Sequence, residues 1–260
     1  MKCTLSIKGS AILPSVKHQL TPGRGWGRSV LKPSEKGHTG PTSRVLDDIT
    51  SFLKTVIPCP IPLFLMGHSM GGGEVLCYAA TGPAEVRKHI RGYLLEAPFV
   101  DFSPASKPSF VTVFFGRLAG KILPHHQMVN KLDVKLVSRD PAVQKQMEAD
   151  DLCHDTGTLE GLAGLLDRTG ELASGKIKIG DGAGEGGVTR IWIAHGDKDG
   201  ITNYHASKAL AERIEAQDKE FKTYEGYFHR REYNVMAFCM RTADFCSTRR
   251  AASREGKIHG

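Results

Sequence analysis

A serine between glycines, two closely spaced aspartates and one late histidine are the residues of this chain that could do covalent chemistry together. Gly67-His68-Ser69-Met70-Gly71 is a G-x-S-x-G element. Such an element holds a serine hydroxyl clear of its surroundings at a sharp turn into a helix, with the next backbone N–H facing a developing oxyanion. Here that N–H belongs to Met70. A serine hydroxyl is a weak nucleophile until a base takes its proton, and the base needs an acid to fix its tautomer. In His195-Gly196-Asp197-Lys198-Asp199 two carboxylates, Asp197 and Asp199, compete for the acid's place. The base would be His229, thirty residues beyond Asp199 in Tyr224-Glu225-Gly226-Tyr227-Phe228-His229. Serine, acid, histidine is a chain order in which such triads occur.

These side chains meet only if regular elements bring their loops to one place. Val45, Ile49, Phe52, Leu53 and Val56 recur at helical spacing behind an N-cap at Thr42 or Ser43, and Pro58 and Pro60 stop that helix. Residues 61–66 form a continuous apolar run, which predicts a strand buried on both faces. A helix is expected over 74–80, strands over 90–95, 190–194 and 221–224, and a helix over 205–216. Strands alternating with helices predict a doubly wound, mostly parallel α/β sheet. The acid then leaves the C-terminal end of its strand, where ligands meet open sheets. Residues 99–188 break the rhythm, are helix-leaning and carry prolines at 104, 108, 124 and 141, so they read as an inserted cap.

The chain has 260 residues, 40% of them apolar and 24% charged, which is a folded globular composition and excludes disordered, collagen-like and coiled-coil classes. A net charge of +7 would suggest a polyanionic partner, but its distribution argues otherwise. Residues 1–36 carry seven Lys/Arg against one acid and residues 230–260 seven against three, while the 193 residues between are mildly acidic. No nucleic-acid partner is expected. The six cysteines contain no C-x-x-C pair, so neither a zinc site nor a compact disulfide framework is indicated, and a reducing, cytoplasmic setting is expected. Lys8 and Lys17 interrupt any signal-like apolar run, and the longest apolar stretch, 110–116, is far short of a membrane span.

Arg24-Gly25-Trp26-Gly27-Arg28-Ser29, Gly67-His68-Ser69-Met70-Gly71-Gly72, His195-Gly-x-x-Asp199 and Tyr224-Glu-Gly-x-x-His229 resemble the successive signatures of monoglyceride lipases and related serine-aminopeptidase-type α/β-hydrolases. The resemblance covers about 24–229 and selects Asp199 over Asp197 as triad acid, with Ser69 as nucleophile and His229 as base. It implies an α/β-hydrolase fold with a helical cap at about 99–188, no cofactor or metal, and a small lipid ester as substrate, most simply a monoacylglycerol cleaved to glycerol and fatty acid. It further implies a cap surface touching a membrane or lipid droplet. Phe110, Val111, Val113, Phe114, Phe115 and Leu118 suit that surface or, alternatively, a buried cap core.

The two ends depart from the family pattern. Neither His-Gly dipeptide, at His195 and His259, precedes Ser69, so one oxyanion donor has no candidate. The expectation is that early strands are missing, that 1–23 is an unmatched segment, and that 230–260 is an unmatched basic tail. An incomplete, inactive hydrolase-like chain and a related thioesterase or peptidase are the alternatives.

Three other signals point elsewhere only formally. Gly182-Ala183-Gly184-Glu185-Gly186-Gly187 fits G-x-G-x-x-G but precedes a strand instead of following one, so it reads as a loop. The Asp150–Asp155 stretch and His125-His126 carry metal-capable side chains without converging partners and read as surface.

Overall fold

The structure, a computed structural model, describes residues 23–216 and 218–229. The unmatched segment 1–23, apart from Gly23, and the basic tail 230–260 lie outside the described residues. In chain order the first half holds α1 (Thr42–Lys54), β1 (Leu63–His68), α2 (Met70–Thr81), α3 (Ala84–Arg87), β2 (Ile90–Glu96) and α4 (Phe110–Ile122). Then follow β3 (Gln127–Val129), α5 (Val134–Val137), α6 (Pro141–Glu148), β4 (Thr156–Thr158), α7 (Leu159–Ser174), β5 (Arg190–Gly196), α8 (Tyr204–Arg213) and β6 (Asp218–Tyr224).

Four strands pair in the order β1-β2-β5-β6, every pair parallel, as the alternating pattern predicts. Parallel pairing gathers the strands' C-terminal ends on one edge, where His68 stands beside Glu96, Glu96 beside Ala194, and Gly196 beside Tyr224. The loops carrying Ser69, Asp199 and His229 therefore leave the sheet side by side.

Alternate residues of a strand face opposite sides. Tyr93, Leu95, Ile191 and Ile193 face a core shared with Leu53 of α1, Leu76 of α2, Leu172 of α7 and Leu210 of α8. Each such aliphatic side chain contributes about 1.5 to 3 kcal/mol on burial. Leu94, Trp192 and Ala194 form a smaller cluster on the opposite face with Phe64 and Tyr224.

Several boundaries differ from the sequence expectation for identifiable reasons. The strand expected over 61–66 runs from Leu63 to His68, because Pro60 and Pro62 bring no N–H to a ladder. It is not buried on both faces, since Met66 is 47% exposed and β1 is the edge of the described sheet. The helix expected from 74 begins at Met70. Its glycines do not form a loop but a helix face pressed on the chain leaving β2: a Cβ on Gly72 would stand 2.8 Å from Pro98 Cα, and one on Gly73 2.7 Å from the Phe99 carbonyl oxygen. Pro41, with no side-chain cap bond, takes the N-cap position expected for Thr42 or Ser43, while the Thr42 hydroxyl donates to the Gly164 carbonyl of α7. The last helix runs over Tyr204–Arg213 instead of 205–216, capped by the Asn203 side chain accepting from Ala206 N–H. The last strand starts at Asp218 instead of 221.

Within 99–188, α4, α5, α6 and the antiparallel β3–β4 ladder precede α7. α7 packs on α4 on one side and on α1, α2 and α8 on the other, and Leu172 and Ile179 enter the main core, so the end of the interval ties its earlier helices to the sheet. The alternative of a buried cap core for 110–118 is not realised. Phe110, Val111, Phe114, Phe115, Leu118 and Ile122 are 50% to 82% exposed. They occupy an arc of roughly 140° on α4 at helical spacing. The other side of α4 meets α7 at Gly120, where an added Cβ would lie 3.4 Å from Leu159 Cβ. The apolar arc therefore faces away from the other described residues.

Candidate active site

The turn between β1 and α2 is built so that Ser69 cannot move independently. Its backbone has φ 56° and ψ −122°, a conformation costly for a residue with a Cβ. The cost is held by hydrogen bonds on both sides: Ser69 N–H donates to the Glu96 carbonyl at 3.0 Å, and Phe99 N–H donates to the Ser69 carbonyl at 2.9 Å. Ala97, next to Glu96, also has a positive φ of 43°, with its N–H on the Ala194 carbonyl at 2.7 Å. The two strained residues thus follow the ends of adjacent strands, Ser69 bonded to the end of β2 and Ala97 to β5. Met70 opens α2, and the first N–H groups of a helix have no partner within it.

Ser69, His229 and Asp199 come together. His229 Nε2 lies 2.9 Å from Ser69 Oγ, and His229 Nδ1 lies 2.8 Å from Asp199 Oδ2. All three are withdrawn from solvent, at 3%, 1% and 8% exposure. The other oxygen, Oδ1, accepts from the N–H groups of Ile201 at 2.8 Å and Thr202 at 2.9 Å. Burial alone would raise the Asp199 pKa, but the attraction of His229 and the hydrogen bonds from His195 and His229 outweigh it, leaving the carboxyl well below the ordinary carboxylate range. An acid held ionised in this way accepts the Nδ1 proton of His229, which leaves the Nε2 lone pair for the serine hydroxyl. Asp197, the rival carboxylate, instead accepts from Gly226 N–H at 2.6 Å and so anchors the loop that carries His229.

Three neighbours of Ser69, His229 and Asp199 escape a reading of the sequence for function. His68 stacks obliquely on His229 with ring centroids 4.9 Å apart, and its Nε2 lies 3.4 Å from the His229 carbonyl oxygen. Burial first, and then the adjoining His229, push its pKa down to about 4. His195 and Thr202 both contact Asp199 Oδ2, at 3.0 and 2.7 Å. His195 belongs to the H-G-x-x-D signature, so its position had a signal although its role did not; Thr202 had none. The residues set aside in sequence stay apart from this site: His125 is exposed and stacks on His38, while His154 stacks on Trp26 and contacts the Gly25 carbonyl oxygen at 2.9 Å.

Residues 22–232 match the family described as Serine aminopeptidase, S33. A monoacylglycerol lipase of Mycolicibacterium smegmatis is 30% identical over 169 residues, 65% of this chain and 55% of that protein. Among solved structures, a soluble variant of monoglyceride lipase from Saccharomyces cerevisiae in complex with a substrate analog superposes with a TM-score of 0.72 at 25% identity, covering 86% of this chain and 74% of that one. The Paleococcus ferrophilus monoacylglycerol lipase gives a TM-score of 0.65 at 28% identity, covering 80% and 72%. The chain spans about half the length of several curated relatives it matches.

Proposed function

Because the chain belongs to the serine aminopeptidase S33 family of α/β-hydrolases, we propose that it is a serine ester hydrolase whose substrate is a small lipid ester, in the first place a monoacylglycerol. The observation that carries the reading is the unbroken hydrogen-bond path from Ser69 Oγ through His229 to Asp199, at 2.9 and 2.8 Å. In this reading His229 Nε2 takes the Ser69 proton as Oγ attacks the acyl carbonyl. The Met70 N–H donates to the resulting oxyanion, and the protonated His229 passes its proton to the departing glycerol oxygen. Water, activated by the same histidine, then releases the fatty acid and restores Ser69. Asp199 stays ionised throughout and stabilises the imidazolium. The hydrolase unit in this reading is 24–229, with a cap inserted at about 99–188.

A fluorophosphonate probe tests the nucleophile. Wild type is expected to label and to hydrolyse a short-chain ester, and Ser69→Ala to lose labelling and about 10⁴-fold or more of kcat. Labelling of wild type no stronger than that of Ser69→Ala would sink the reading.

The substrate class is supported by the outward apolar arc of α4, which suits contact with a lipid surface. No helix among the described residues is long and apolar enough to cross a membrane, so contact through α4 would be peripheral. Replacing Phe110 and Phe115 together by serine is expected to weaken co-sedimentation with phosphatidylcholine vesicles roughly tenfold or more. Turnover of a water-soluble ester should stay near wild type. Equal vesicle binding by both proteins would remove the membrane role.

A further inference from the structure

Asp199 receives more donors than a triad acid requires. Oδ2, the oxygen that faces His229, also faces His195 Nε2 at 3.0 Å and the Thr202 hydroxyl at 2.7 Å. The His195 ring is 1% exposed and stands edge-on to the Tyr204 ring at 5.8 Å. Its second nitrogen, Nδ1, is buried with no hydrogen-bond partner among the described residues. A buried N–H without an acceptor bears its full desolvation cost, so the proton belongs on Nε2 and the lone pair on Nδ1. His195 is then a donor to Asp199. Thr202 Oγ1 lies 3.2 Å from both His195 Nε2 and His229 Nδ1, so the hydroxyl joins the two imidazoles at the shared oxygen.

We propose that His195 is a positioning residue of the active site: its Nε2–H pins Oδ2 of Asp199 where it accepts from His229 and takes up part of the carboxylate charge. The proposal rests on the reading of Ser69, His229 and Asp199 as the triad. The titratable groups around the pair are His68 from β1, Glu96 at the end of β2 through its effect on His68, His195 from β5 and Tyr204 from α8. Of the three histidines and one tyrosine, His195 and His229 hydrogen-bond the carboxylate. Without the His195 donor, more of the Asp199 charge acts on His229, and the oxygen that orients His229 gains freedom. A stronger but less well placed base follows. The acid limb of kcat/KM should move up by about half a pH unit, and kcat should fall about tenfold with KM little changed.

Leucine at this position fills the space without a donor, whereas glutamine offers an N–H at the reach of His Nε2. Hydrolysis of p-nitrophenyl butyrate against pH, with melting curves, is measured for wild type, His195→Leu and His195→Gln. The expected result is the shifted limb and lowered kcat in leucine and their recovery in glutamine. If leucine and glutamine behave alike, or if leucine only lowers the melting temperature and raises KM with the limb in place, the positioning role is wrong. Should the leucine variant not fold, His195→Asn, whose amide falls short of Oδ2, replaces it, and the same contrast with glutamine is required. Absence of any Ser69-dependent turnover in wild type would defeat the triad reading itself, and this proposal with it.

Discussion

Asp199→Asn is expected to lower kcat about 10⁴-fold while the protein still melts cooperatively. The magnitude follows from the donors around the carboxylate. Oδ1 accepts from two backbone N–H groups that cannot reverse their polarity, whereas Oδ2 faces the His229 imidazole and the Thr202 hydroxyl, which can, and the His195 imidazole, which can only by leaving a buried Nδ1–H without an acceptor. The asparagine therefore keeps its carbonyl oxygen toward Ile201 and Thr202 and turns its NH₂ toward His229. His229 must then accept at Nδ1 and carry its proton on Nε2, which points at Ser69. In that tautomer it cannot take the serine proton. Steady-state kinetics with a soluble ester, alongside a melting curve, provide the check; retention of more than about a tenth of kcat would mean that Asp199 does not set the tautomer.

The second large effect is expected at Gly67. A Cβ there would stand 2.5 Å from the Gly71 carbonyl carbon and 2.7 Å from Gly72 N, and closer still to the Gly71 oxygen. All three are backbone atoms in the first turn of α2, so no side chain can rotate aside. Gly67→Ala must push β1 away from α2, at a cost on the order of 3 kcal/mol, or roughly 10 °C in Tm. The displaced turn takes Ser69 out of reach of His229, so activity should fall far more than stability alone explains. Gly71→Ala is the control. Nothing stands within 4 Å of a Cβ at that position, and its Tm should match or slightly exceed wild type. A Gly67→Ala protein that melts and turns over like Gly71→Ala would show that the turn does not depend on this close approach. The two glycines of G-x-S-x-G thus differ: the first is required by contact with backbone, the second is not.

Much of the fold and of the site was legible because parallel sheets carry simple periodic signals. The apolar runs near 63, 90 and 190 and the helices between them account for the sheet's order, and the H-G-x-x-D and Tyr-Glu-Gly-x-x-His spacings lead to Asp199 and His229, which meet Ser69. What sequence did not disclose has physical causes. Gly71, Gly72 and Gly73 carry a loop-like propensity, yet the close approach of Gly72 to Pro98 and of Gly73 to Phe99 holds the turn as helix. The direction of the apolar arc on α4 depends on Gly120 lying against α7, a contact between distant segments. Thr202 and His195 act through a single shared oxygen, and no spacing rule encodes a three-way convergence of that kind.

The pinning of Ser69 makes the two halves of the site unequal in rigidity. To shift the serine, the ends of β1 and β2 must part, because its N–H and C=O are both bonded to residues leaving β2. His229 instead stands in the loop after β6, which among the described residues is tied by the Tyr227 carbonyl to Lys198 N–H, by Gly226 N–H to Asp197, and by the His229 carbonyl to His68. With the ring bonds of His229 to Ser69, Asp199 and Thr202, these contacts can open without parting two strands of the parallel ladder, at less than the global unfolding free energy. Heat or denaturant is then expected to draw His229 away from Ser69 before the sheet parts, so that under the proposed roles turnover is lost while the protein still retains its shape.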